Sequence, residues 1–161
     1  MITDDITELA TALPPYRALL GLDLGTKTIG VAASDLRRSV ATPVETVKRT
    51  KFTADAKILL SLAESREAAG FVLGLPRNMD GSEGPRAQST RAFARNLSKL
   101  TDLHIAFWDE RLSTVAVERT LLEADQSRKR RAEVVDKMAA AYILQGVLDR
   151  LNVISNDGIA Q

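Results

Sequence analysis

A chain of 161 residues with a formal net charge of +1 is long enough for one domain with a sizeable core, and it carries no global positive excess, so any nucleic-acid binding falls to local patches. The absence of cysteine removes disulfides, thiolate metal sites and cysteine nucleophiles together; the one histidine, His104, rules out a multi-histidine zinc centre and leaves a Ser-His-Asp triad to rest on it alone. Any metal must be held mainly by carboxylates, which suits Mg²⁺ or Mn²⁺.

The apolar runs are far shorter than the roughly 20 residues of a membrane span, and the N-terminus lacks the basic region of a signal peptide, so a cytoplasmic location with no membrane partner is expected. Residues 1–16 read as a short, loosely docked lead-in, with Ile2, Ile6, Leu9 and Leu13 at roughly helical spacing before Pro14-Pro15 ends the pattern. The main domain is expected over 17–152 and a tail over 153–161.

The run Leu19-Leu20-Gly21-Leu22-Asp23-Leu24 is apolar enough for a buried central strand, and it enters a hairpin centred on Gly25. Alternation puts Leu20, Leu22 and Leu24 on one face and Leu19, Gly21 and Asp23 on the other. Burying a carboxylate costs several kcal/mol, so Asp23 calls for a cation or a metal; the alternative is an aspartate that caps a turn. Gly25 is expected to supply a positive backbone dihedral, and Gly30 to admit a neighbouring chain or ligand.

Ile29 to Ser34 returns as the partner strand. Ser39 to Val47 reads as a third, placed at an edge by Pro43, and the short turns imply an antiparallel meander. A helix follows over about Thr53 to Ala69, with Ile58, Leu59, Leu62 and Ala63 on one face and Gly70 as its end. Phe71 to Leu75 is a short buried strand parallel to another strand of the sheet. The breaker-rich stretch Pro76 to Pro85 then sits where open α/β sheets place ligand loops, a solvated loop being the alternative.

A helix over about Arg86 to Lys99 turns Ala87, Phe93, Ala94 and Leu97 inward. His104 to Trp108 is the last strand; it delivers Asp109-Glu110-Arg111 at its end, with His104 merely beginning it and Trp108 in the core. Ser113 or Thr114 can cap a further helix containing Val117 and Leu121, followed by a basic connection over 126–131. The closing helix, about Ala132 to Leu151, carries the stripe Ala140, Ile143, Leu144, Val147, Leu148, which one turn earlier reaches Asp136.

Asp23, Glu110 and Asp136 thus stand at the border of core and surface. Singly they read as a turn residue, a surface acid and an acid favoured near a helix N-terminus. The order βββαβαβαα resembles the ribonuclease H-like fold: an α/β architecture with a mixed five-stranded sheet, an antiparallel meander plus two parallel strands, flanked by helices. In that fold the first strand is central and the acidic site forms at its carboxyl-terminal region.

The motifs narrow the resemblance. Leu22-Asp23-Leu24-Gly25-Thr26-Lys27-Thr28-Ile29-Gly30-Val31-Ala32, Val72-Leu73-Gly74-Leu75-Pro76 with Asn78, Asp80 and Gly81, Asp109-Glu110-Arg111-Leu112-Ser113-Thr114, and Val135-Asp136-Lys137-Met138-Ala139-Ala140 together resemble the YqgF/RuvX family of pre-16S ribosomal RNA nucleases, also described as Holliday junction resolvases. The resemblance covers roughly 18–150. It implies that Asp23, Glu110 and Asp136 form a catalytic acidic triad binding one or two Mg²⁺ or Mn²⁺ ions, with Asp109 the alternative to Glu110, because adjacent strand residues point opposite ways.

The implied activity is metal-dependent endonucleolytic hydrolysis of phosphodiester bonds in structured nucleic acid, at the 5′ end of pre-16S rRNA or, alternatively, in branched DNA. Lys27 and Arg111 are candidate phosphate contacts, with surface ion pairing the alternative. Arg128, Lys129, Arg130 and Arg131 are candidates to hold the nucleic-acid backbone, with a solvated basic loop the alternative. A monomer and a two-fold homodimer both remain open. A phosphate-binding ATPase of the actin-like kind is disfavoured, since it needs a second lobe. A non-catalytic nucleic-acid-binding or ribosome-assembly module is the rival of a different class.

Overall fold

Alternating hydrophobicity at period 2 and helical stripes at period 3.6 resolve into a sheet covered on both faces. The computed structural model describes residues 1–112 and 128–160, with the side chains of 128–134 and 157–160 outside that description. Six strands form one sheet: β1 (Ile2–Thr3), β2 (Ala18–Leu24), β3 (Thr28–Ser34), β4 (Ala41–Lys48), β5 (Ala68–Leu75) and β6 (His104–Asp109), in the order β1-β6-β5-β2-β3-β4. β2, β3 and β4 pair antiparallel, while β5 lies parallel to both β2 and β6. The expected meander and the two later parallel strands are therefore present.

The sixth strand comes from the N-terminal segment. Ile2 and Thr3 pair parallel with Ile105 and Ala106 of β6, and helix α1 (Ile6–Ala12) buries Leu9 fully. The segment expected to be loosely docked is thus part of the sheet: a two-residue strand is too short to show a period in the sequence, yet it covers the backbone edge of β6. At the other edge lies β4, where Pro43 sits beside a register shift, as its missing N–H requires.

Helices α2 (Phe52–Ser65) and α3 (Pro85–Ser98) cover one face, burying Leu20, Leu22, Ile29, Val31, Phe71, Leu73, Ile105 and Phe107. α1 and the long terminal helix α4 (Arg128–Ala160) cover the other, against Leu19, Ala32, Val72 and Ala106. The stripe Ala140, Ile143, Leu144, Val147, Leu148 is fully buried there. Gln145 ties the helix to the third strand: its Oε1 accepts from the Ala41 amide (2.9 Å) and its Nε2 donates to the Ser39 carbonyl (3.2 Å).

Three boundaries differ from the sequence expectation. α2 ends at Ser65 rather than at Gly70; the chain turns through Glu67 (φ 54°), and Gly70 lies inside β5, where a Cβ would stand 2.7 Å from the His104 carbonyl. A glutamate in the left-handed region carries no composition signal, whereas a glycine does. Residues 128–131 begin α4 instead of forming a connection, because a run of Arg and Lys is as compatible with a helix as with a loop. The helix also continues through the expected tail to Ala160. The helix expected after Ser113 or Thr114 lies outside the described residues. Among the described residues no helix is long and apolar enough to cross a membrane.

Candidate active site

Asp23 occupies the last turn of the pleat of the central strand, one residue before its end, and it is 5% exposed. Its face is the one predicted from alternation: Leu20 and Leu22 belong to the α2/α3 core and Leu19 to the α4 core. On this face Asp23 has a glycine on each side. Gly30 of β3 is its antiparallel partner. Gly74 of β5 stands one step past the last parallel pair, Leu22 with Leu73. Neighbouring strands lie about 4.8 Å apart, so the row Gly30, Asp23, Gly74 spans roughly 10 Å with one side chain in its middle.

Each glycine makes room for one of the other acids. A Cβ on Gly30 would overlap the Asp136 carbonyl, so α4 lies directly on the sheet there. A Cβ on Gly74 would stand 2.5 Å from Ile143 Cδ1 and 2.6 Å from Glu110 Oε1. Glu110 opens the 3₁₀ turn Glu110–Leu112 that ends β6, and its side chain reaches back over β5. Asp136 is half-buried, and its Oδ2 accepts a hydrogen bond of 2.5 Å from the Thr28 hydroxyl. Thr28 lies two residues from Gly30, hence on the same face of β3. Its role was missed in the sequence, although period 2 from Gly30 pointed to it.

Asp23, Glu110 and Asp136 therefore approach one face of one sheet end from a strand, a turn and a helix. Among the described residues no three His, Cys, Asp or Glu side chains lie close enough to form a ready-made metal cage. Asp23 and Glu110 each have an interaction partner as well. The donor chemistry suits a divalent cation: three hard carboxylate donors on a surface where the two residues flanking Asp23 carry no side chains of their own.

Asp109 is placed differently. Its carboxylate pairs with Arg111 (Nη2 to Oδ2, 2.6 Å), and that hydrogen bond holds its pKa below the usual carboxylate range. Arg111 is correspondingly committed; its Nη1 also donates to the Met79 carbonyl at 3.3 Å, and its pKa is raised by the Asp109 bond. Lys27 is exposed at the tip of the β2–β3 turn. Gly25 in that turn does not use a positive φ: its amide donates to the Thr28 carbonyl at 2.8 Å, and a Cβ would lie 3.0 Å from the same oxygen, so close approach is what a side chain would disturb. Arg128, Lys129, Arg130 and Arg131 fall in the first turns of α4, their side chains outside the described set. His104 begins β6, and Trp108 is half-buried against the α4 core, its ring over Gly146, where a Cβ would stand 3.0 Å from it.

Asn78 to Gly84 is tied to itself. Asn78 and Ser82 bond through main chain (2.9 Å) and side chain (3.0 Å), and Asp80 accepts from the Ser82 amide (2.9 Å). Glu83 clamps the segment onto α3 through Arg91 (Nε to Oε1, 2.6 Å). The loop at the carboxyl end of β5 is thus internally bonded.

Comparison with known proteins agrees with this architecture. Residues 17–150 match the family model described as RuvX: Holliday junction resolvase. A protein of Ruegeria pomeroyi named "Putative pre-16S rRNA nuclease" is 70% identical over 151 residues, covering 94% of this chain and 98% of that protein. One of the same name from Paracoccus denitrificans is 67% identical over 154 residues, covering 96% and 98%. Among solved structures, Thermus thermophilus RuvC in complex with a Holliday junction substrate superposes with a TM-score of 0.52 at 10% identity, covering 84% of this chain and 96% of that one. The yeast mitochondrial Holliday junction resolvase superposes with a TM-score of 0.50 at 12% identity, covering 94% and 87%. At such identities the superpositions speak for the fold: a ribonuclease H-like sheet, with six strands here in place of the five expected. With a model match across most of its length and relatives at two-thirds identity or more, this chain belongs to the RuvX family of nucleases.

Proposed function

We propose that this protein is a divalent-metal-dependent endonuclease that hydrolyses phosphodiester bonds of structured RNA, with the 5′ end of pre-16S rRNA as its substrate. The observation that carries the reading is the row Gly30, Asp23, Gly74, with Asp136 over one glycine and Glu110 over the other. Nothing in core packing requires three acids above two glycines on a buried strand end; a metal site does. The names of the relatives favour precursor rRNA as substrate.

Asp23, Glu110 and Asp136 would hold the cation, Mg²⁺ or Mn²⁺. When bound, such an ion lowers the pKa of a water to make the nucleophile and neutralises charge on the phosphate and on the leaving oxygen. The remaining work falls to the chain itself. Asp23 is held by the central strand, paired directly with Gly30 of β3 and one residue past the last pair with β5. Thr28 orients Asp136 by donating to one carboxylate oxygen, which leaves the other oxygen available to a cation. Lys27, exposed at the tip of the β2–β3 turn, brings positive charge near the sheet end, where a polyanion must lie, and the basic segment 128–131 is a second candidate backbone contact. Arg111 serves the fold by pinning Asp109, which leaves Glu110 as the ligand of that pair.

The test compares cleavage of a 5′-extended 16S precursor RNA with cleavage of a synthetic four-way DNA junction, each with Mg²⁺ and with EDTA. Metal-dependent cleavage of the RNA is expected, with Asp23→Asn slower by at least about two orders of magnitude and folded as the parent. Cleavage by Asp23→Asn at the parental rate would refute the site. The family description favours the junction as a second substrate. Efficient paired cutting of it, together with a two-fold dimer in solution, would move the assignment to DNA.

A further inference from the structure

On the opposite face from the acids, a cavity of about 170 Å³ opens between the turn that follows Asp23 and helix α3. Gly25, Thr26, Arg49, Arg86 and Ser89 line it, and no carboxylate does. Among the described residues, Arg49 is held there by neutral groups only. Its Nη1 donates to the Gly25 carbonyl (2.7 Å), its amide donates to the Lys27 carbonyl (2.9 Å), and its guanidinium carbon lies 5.7 Å from the centre of the Phe93 ring. Phe93 is itself held edge-on by Phe52, 5.3 Å away. A guanidinium has five N–H donors, so one carbonyl leaves most of its capacity and its whole charge unspent. Arg86 is exposed and takes part in no ion pair among the described residues. Two guanidinium groups with no carboxylate partner among the described residues, and two hydroxyls, around one small hollow suit an oxyanion.

We propose that this cavity binds a backbone phosphate of the polynucleotide, one or two nucleotides from the bond presented to Asp23, with Arg49 and Arg86 as its ligands. The proposal rests on the nuclease reading for the identity of the strand. Leu24, Gly25 and Thr26 lie one to three residues beyond Asp23, about 3–10 Å along the chain, a distance that one or two nucleotides of a strand span. A strand crossing the carboxyl end of β2 meets the acids on one side and the two arginines on the other. Arg49 also braces the turn at both Gly25 and Lys27, so phosphate binding there is coupled to the placement of Asp23.

The experiment measures binding of a fluorescein-labelled single-stranded RNA by anisotropy, in EDTA so that nothing is cut, from 50 to 200 mM salt. Arg86→Gln is expected to weaken binding roughly tenfold and to lower the slope of log Kd against log salt by about 0.7, one phosphate contact. Arg49→Lys, which keeps the charge but loses the planar fork, should fall between. Inorganic phosphate should raise the Tm of the parent above that in matched chloride and leave Arg86→Gln unmoved. An unchanged Kd and an unchanged slope in Arg86→Gln would overturn the proposal; that side chain is exposed, so its loss does not threaten folding. A parent that cuts precursor RNA while Arg86→Gln binds normally would sink this site alone. A parent that cuts nothing, with binding still lost in Arg86→Gln, would sink the nuclease reading and keep the phosphate site.

Discussion

Gly30→Ala probes the contact on which the acidic face depends. The added methyl would occupy the place of the Asp136 carbonyl and would stand 3.0 Å from the Lys137 amide, both of them main-chain atoms that cannot rotate away. To restore ordinary contact, α4 must withdraw by roughly 1 Å or more at Asp136. Overpacking of this kind costs about 1–3 kcal/mol. For a chain of this size each kcal/mol lowers Tm by about 2–4 °C, so a fall of roughly 2–12 °C is expected. A shift of about 1 Å in one carboxylate relative to the others costs about 10²-fold in rate, because the acids act only in register with the reacting phosphate.

The assay pairs thermal unfolding with cleavage of precursor RNA at 25 °C, where the variant is still fully folded, so that lost activity reports geometry rather than unfolding. Gly84→Ala is the control. A Cβ there meets only Asn78 side-chain atoms at 3.7 Å, and both the Tm and the rate should stay near parental values. A Gly30→Ala protein that melts with the parent and cleaves at the parental rate would refute the close seating of α4 beside Asp23.

Thr28→Val removes the donor that orients Asp136 while preserving shape; a 10–100-fold loss in Mn²⁺ affinity, read by titration calorimetry, is expected with little change in Tm. Mg²⁺ at 100 times its Kd should stabilise the parent by about 2.7 kcal/mol and leave Asp23→Asn unmoved, so identical Tm shifts in the two proteins would argue against a shared cation. Asp35 tests the pH dependence. The Ser39 hydroxyl first, and then the Val40 amide, lower its pKa from 3.8 to about 2. A depressed folded-state pKa contributes stability above the unfolded value that is lost as pH falls through the folded one, so the contribution disappears between about pH 4 and 2. Tm measured across that window should fall less steeply in Asp35→Ala than in the parent, and parallel curves would contradict the assignment.

Much of the candidate site's placement was legible in the sequence. Period 2 in Leu19 to Leu24 suffices to turn Asp23 away from Leu20 and Leu22, and the stripe from Ala140 to Leu148 suffices to bring Asp136 to the sheet side of its helix. The N-terminal strand was not legible, since two residues hold no period, nor was the end of α2, which turns on a glutamate. The different placement of Asp109 and Glu110 was also hidden. It depends on Arg111 folding back onto Asp109 and on the 3₁₀ turn that swings Glu110 over β5.

The order of residues alone determined which way each side chain points from its own strand or helix, because those directions follow from local backbone geometry with fixed periods. Only the tertiary structure decided that Gly30 and Gly74 flank Asp23 in neighbouring strands and that the Asp136 backbone and the Glu110 side chain fill the space they leave. Gly30 reaches Asp23 through a hairpin, but the register of β5 and the seating of α4 are settled by contacts between segments 50 to 110 residues apart, and no local period encodes them.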